Sequence, residues 1–131
     1  MKYYVGQEAS VSKTISDYDV YSFAGITGDF NPVHVNKYEA EKSIFKDRIA
    51  HGLLVSGFIS TVLGMYLPGP GTIYLQQNLS FRKPVYIGDT ITAKVIIQEI
   101  DEVKNIAQLN TTVINQHGKV VIEGVALVKL P

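Results

Sequence analysis

The sequence predicts an α+β domain in which an antiparallel sheet curls around one buried helix. Three observations lead there. Residues 52–66 carry apolar side chains on nearly every side of a helix, with no polar face to turn to water. Strand-like alternation dominates everything after Pro68-Gly69-Pro70-Gly71. The connections between those strands are short, so consecutive strands should be antiparallel neighbours. One sheet wrapped around one helix satisfies all three. At 131 residues the chain suits a single domain, 1–131, with one core.

The elements follow in order. From Ala9 to Ile15 the pattern alternates, with Ala9, Val11 and Ile15 opposite Glu8, Ser10, Ser12 and Thr14, as in a half-buried strand. Ser16-Asp17-Tyr18-Asp19 reads as a helix start, with Ser16 as N-cap and Asp19 at the third helical position. Val20, Phe23 and Ala24 give that helix a short apolar stripe, and Gly25 and Gly28 weaken it before Asp29. Asn31-Pro32 is a turn-forming dipeptide, so the segment around it should be bent rather than a smooth helix or strand. Asn36 is placed to cap a short helix over 37–43.

The helix over 52–66 presents Leu53, Leu54, Val55, Phe58, Ile59, Val62, Leu63 and Met65 around its circumference, and is expected to be buried all round. Ser56, Ser60 and Gly64 recur every four residues, a small-residue stripe that allows close backbone approach. Strands are then expected over 72–81, 89–100, 105–115 and 119–130, with a turn at His117-Gly118.

Composition narrows the function. Hydrophobic residues at 46% against 18% charged belong to a folded chain, not a disordered one. Twelve basic residues offset twelve acidic ones, which leaves no basic field for nucleic acid and little charge repulsion against self-association. The lack of cysteine excludes disulfides, thiolate metal sites and cysteine nucleophiles. The N-terminal residues lack the apolar run of a signal peptide, and the apolar segment from Leu53 to Leu67 is too short and too broken by serines, threonine and glycines to span a membrane. The cytoplasm is the expected compartment.

The densest chemistry lies in Gly28-Asp29-Phe30-Asn31-Pro32-Val33-His34, which places an acid, an amide and an imidazole within seven residues. A bent backbone brings Asp29 and His34 together without long-range contacts, and a carboxylate and an imidazole sharing one water make an acid/base device. Singly, each has a plainer reading: Asp29 as a turn aspartate, His34 between Val33 and Val35 as a core histidine, Asn31 as a turn residue. His51-Gly52 opens the apolar helix. There Gly52 offers a backbone N–H for an oxyanion, aided by the helix dipole, or simply permits a tight entry. His51 reads as a cap or a surface residue. Ser60 packs helices or lines a site. Arg48, Arg82 and Lys83 are candidate phosphate contacts or solvated edge charges. Pro68-Gly69-Pro70-Gly71 lacks the lysine and helix of a phosphate loop, and His34, His51 and His117 lack metal-ligand spacing, so no metal is expected.

The run Tyr21-Ser22-Phe23-Ala24-Gly25-Ile26-Thr27-Gly28-Asp29-Phe30-Asn31-Pro32-Val33-His34 resembles the hydratase-2 motif of the MaoC-like family. The likeness is closest to the short, single-domain (R)-specific enoyl-CoA hydratases of the PhaJ type and runs almost end to end. It takes in Ile49-Ala50-His51-Gly52, the Leu67 to Leu75 segment, Leu79-Ser80-Phe81 before Pro84-Val85, and Val128-Lys129-Leu130-Pro131. The resemblance implies a hot-dog fold, a homodimer, and an acyl-CoA thioester substrate whose trans-2-enoyl double bond is reversibly hydrated to the (R)-3-hydroxy product. It implies Asp29 and His34 as the catalytic pair and Gly52 as the oxyanion-binding residue. Asn31 and Ser60 match the family's loop asparagine and active-site serine. Leu63 is a candidate for the acyl-chain tunnel, and Arg82 and Lys83 for the CoA end. No cofactor or metal is implied. The alternatives are a hot-dog acyl-CoA thioesterase and a non-catalytic acyl-CoA-binding domain.

Overall fold

The computed structural model describes residues 2–131. Its elements are β1 (Glu8–Thr14), α1 (Asp17–Thr27), α2 (Pro32–Val35), α3 (Lys37–Lys42), α4 (Gly52–Met65), β2 (Ile73–Gln77), β3 (Ser80–Phe81), β4 (Thr90–Asp101), β5 (Ile106–Ile114) and β6 (Val120–Lys129). Six antiparallel strands form one sheet in the order β1-β4-β5-β6-β2, with β3 also pairing β6. α4 lies against its inner face.

Alternation decides which face is inner. In β4, Ile91, Ala93, Val95 and Ile97 are buried while the residues between them are partly exposed. In β5, Ala107, Leu109 and Val113 point the same way. From α4, Val55, Ile59, Val62 and Leu63 meet them and complete the core. The helix that starts at Asp17 carries the expected capping box: Ser16 Oγ accepts from the Asp19 N–H at 3.2 Å and Asp19 Oδ2 from the Ser16 N–H at 2.9 Å. Burial alone would raise the Asp19 carboxyl, but the Ser16 hydrogen bonds and Lys13 at 3.3 Å outweigh it and hold it below its ordinary value.

Two expectations need correction. The strand expected over 72–81 is split. Asn78 donates its N–H to the Val125 carbonyl and accepts the Val125 N–H on Oδ1, both at 3.0 Å. Its carbonyl lies so close to Gly124 that a Cβ there would sit 1.9 Å from the oxygen. This local side-chain-to-backbone exchange interrupts the ladder between β2 and β3. The second correction concerns α4, which is not buried all round. The six strands cover one side only, and Leu53 and Met65 each remain 62% exposed. Beside them the edge strand β2 exposes Ile73, Tyr74 and Leu75.

Among the described residues, no helix is long and apolar enough to cross a membrane.

Candidate active site

The Asp29 to His34 segment is a staircase of local caps. α1 ends at Gly28 in the left-handed conformation, φ 81°, which turns the chain sharply. Asp29 Oδ1 accepts the Asn31 N–H at 3.2 Å, and Asn31 Oδ1 accepts the Val33 N–H at 3.3 Å. Pro32 then begins α2, where its missing N–H costs nothing. The expected bend is therefore present, but it contains one helical turn. That turn carries His34 inward to 8% exposure while Asp29 stays at the surface of the cleft. Asn31 serves as the cap of α2 and is itself exposed.

His34 is oriented by the segment before α4. Its Nδ1 lies 2.7 Å from the Ile49 carbonyl. A carbonyl only accepts, so Nδ1 carries the hydrogen and the neutral ring keeps its lone pair on Nε2. Burial is the main influence on this imidazole and lowers its pKa. The Ile49 hydrogen bond and Asp29 push upward and His51 pushes downward, with a net lowering from the ordinary value.

His51 is the residue that sequence reasoning missed. It occupies the N-cap position of α4 but its side chain makes no capping bond, and at 3% exposure it is no surface residue. Its ring stacks on His34 with centroids 3.8 Å apart and planes at 28°, and tilts against Phe23 at 4.7 Å. Its Nε2 donates to the Asp29 backbone carbonyl at 2.9 Å. The available signal was its place immediately before a helix-opening glycine. Asp29, His34 and His51 thus offer carboxylate and ring atoms within 4.8 Å of one another; the approach of Asp29 to His34 is the expected one, and His51 joins it from a distant part of the sequence. Stacked rings direct their in-plane lone pairs side by side rather than at one point. A carboxylate and an imidazole nitrogen within 4.8 Å suit a shared water.

Gly52 opens α4 beside this pair. The first N–H groups of a helix have no intrahelical partner, and among the described residues the Gly52 N–H has none elsewhere. Phe81 closes over it so tightly that an added Cβ would sit 2.5 Å from the ring. Asp29, His34 and Gly52 line a cleft of about 490 Å³ whose opposite wall includes Phe81, Arg82 and Lys83.

The remaining candidates divide. Arg82 pairs with Glu123 at 3.1 Å and Lys83 is exposed at the cleft wall. Arg48 is not a free phosphate contact: it pairs with Asp17 at 2.9 Å and donates to the Tyr21 hydroxyl at 3.3 Å, tying α1 to the α4 entrance. Ser60 lies in a separate groove of about 360 Å³ between α4 and β2, alongside Ser56, Gly57 and Tyr74. Leu63 is 1% exposed in the core and does not line the cleft, because its side of α4 faces the sheet. His117 lies in the β5–β6 turn, where its N–H donates to Asn115 Oδ1, outside the Asp29 cluster.

Comparison with known proteins adds to this geometry. Residues 5–119 match the model of the MaoC like domain. The chain is 53% identical over 126 residues to the (R)-specific enoyl-CoA hydratase of Rhodospirillum rubrum, covering 96% of this chain and 87% of that protein. Its fold superposes on the structure of the (R)-hydratase from A. caviae involved in PHA biosynthesis with a TM-score of 0.96, at 43% identity, covering 98% of each chain. On the unliganded R-hydratase PhaJ1 from Pseudomonas aeruginosa the TM-score is 0.94 at 42% identity, covering 98% of this chain and 83% of that one.

Proposed function

The chain belongs to the MaoC-like domain family, and on that premise we propose that it is an (R)-specific enoyl-CoA hydratase, a hydro-lyase adding water reversibly across the double bond of a trans-2-enoyl-CoA. The observation that carries the reading is the meeting of three groups at one cleft: the Asp29 carboxylate, the His34 imidazole and the unpaired Gly52 N–H. Similarity to proteins named (R)-specific enoyl-CoA hydratase supports the substrate class.

The chemistry follows from their roles. The thioester carbonyl oxygen accepts the Gly52 N–H, which stabilises the enolate that forms as C3 is attacked. Asp29 and His34 hold one water over C3. As the water oxygen bonds to C3, one of its protons passes to the pair, where the bare Nε2 of His34 is ready to accept it. The pair then returns a proton to C2 from the same face, which makes the addition syn. The two groups act as one coupled acid/base unit. The thioester itself activates the alkene, so this route uses neither metal nor redox cofactor. Lys83, and Arg82 despite its pairing with Glu123, are the cations offered to the CoA end of the substrate.

The working form is a homodimer in this reading. Met65 of α4 and Ile73, Tyr74 and Leu75 of β2 leave apolar side chains exposed, surface that a second copy would cover. A second copy of a chain with zero net charge meets little repulsion there. The cytoplasm is the compartment in this reading. The reading is tested by incubating the protein with crotonyl-CoA and resolving the product by chiral analysis: the (R)-3-hydroxy thioester supports it, release of free CoA points to a thioesterase, and binding without turnover to a non-catalytic domain.

A further inference from the structure

We propose that His51 is a positioning residue that holds the Asp29 carboxylate in register with the His34 imidazole. The inference rests on the hydratase reading for its kinetic consequence but on geometry for its substance. Residues 28–31 are all exposed, and their other hydrogen bonds are local, to Ala24, Thr27, Val33 and His34 or among themselves. Among the described residues, the bond from His51 Nε2 to the Asp29 carbonyl is the one that ties this turn to the body of the protein. The same ring stacks on His34 with centroids 3.8 Å apart and planes at 28°, and packs against Phe23 at 4.7 Å. His51 is also the residue from which α4 springs, one position before Gly52. One side chain therefore fixes the acid's backbone and the imidazole's plane, and its own backbone sets the oxyanion donor.

The ring is used for this and little else. Its Nδ1 is buried and has no hydrogen-bond partner among the described residues. Burying an unsatisfied polar atom is unfavourable, and an apolar ring would avoid it. A purely packing role leaves that atom unexplained, whereas donation from Nε2 to Asp29 requires a histidine with its other nitrogen bare.

The test compares His51→Gln with His51→Leu. The two side chains are close in shape, and only Gln can donate to the Asp29 carbonyl. A misplacement of about 1 Å is enough to cost about a hundredfold in rate. The Leu variant is therefore expected to lose about that much in kcat on crotonyl-CoA with KM within about threefold, and the Gln variant to recover at least about tenfold of it. Thermal melts of both check that folding is equal. A second readout needs no turnover: the NMR titration midpoint of His34. The titratable groups facing His34 are Asp29, which raises it, and His51, which lowers it. Both variants lack His51, so they differ only in how well Asp29 is held, and the midpoint is expected to be higher in Gln than in Leu. Equal activities together with equal midpoints overturn the proposal. Different midpoints in the two variants, together with a wild-type protein that does not hydrate crotonyl-CoA, sink the hydratase reading and leave the positioning role standing.

Discussion

Phe81 lies so close to Gly52 that a Cβ on the glycine would stand 2.5 Å from ring atom Cε1 and 2.7 Å from Cδ1. The first residue of α4 is thus held against the cleft wall, and among the described residues its N–H has no hydrogen-bond partner. Gly52→Ala forces the ring or the helix start to shift. We expect kcat for hydration to fall about tenfold or more, since oxyanion donors act through placement. Phe81→Leu in the same background should recover part of the loss. Steady-state kinetics on the two variants checks this, and an unimpaired Gly52→Ala would remove Gly52 from the mechanism.

Asp29→Asn and His34→Gln should each lower kcat by about 10²–10⁴-fold, the range of acid/base contributions. Asp29 is exposed and its variant should keep its melting temperature. His34→Gln leaves the Ile49 carbonyl a possible amide donor and should remain folded. Circular dichroism beside the kinetics separates lost chemistry from lost structure.

The lowered pKa of His34 has a pH signature. Burial disfavours the imidazolium, and in the unfolded chain the group titrates near about 6.5. Between the folded value and about 6.5 the unfolded state binds the proton better. The His34 contribution to stability is therefore complete above about pH 6.5 and is lost as pH falls through the folded value. The acid limb of kcat/KM, which reports the free enzyme, should likewise lie below 6.5 and disappear in His34→Gln. A pH–rate profile with an acid limb above 6.5 would contradict this assignment.

How much of this was legible in the sequence depends on the range of the forces involved. The capping box at Ser16, the Gly28 turn and the Asn36 cap are encoded within a few residues and could be read directly, whereas Asn31 reads as a turn residue and not as the cap of α2. The alternation in β4 likewise announced its buried face. The break at Asn78 could not be read, because it depends on Gly124 across the sheet. Nor could the role of His51, whose partners Asp29 and His34 lie 22 and 17 positions away and arrive only when α4 docks. Arg48 looked free until α1 brought Asp17 to it.

The apolar face over α4 and β2 predicts self-association. Met65→Glu combined with Ile73→Glu places charges on residues that are 62% and 54% exposed and contribute nothing to the monomer core. Sedimentation velocity should find a dimer for the wild type and a monomer for the double variant. A wild type that is monomeric at micromolar concentration would refute the homodimer.

Ser16→Ala removes one half of the capping box and should destabilise the fold by about 1 kcal/mol without altering the cleft. Thermal or urea denaturation measures it, and kcat should be unchanged.

The most direct measurement is the chiral analysis of the product formed from crotonyl-CoA by wild-type protein. Water added by Asp29 and His34 to one face of a substrate held at Gly52 should yield (R)-3-hydroxybutyryl-CoA with no release of free CoA. Racemic or (S) product, free CoA, or bound but unchanged crotonyl-CoA would contradict it.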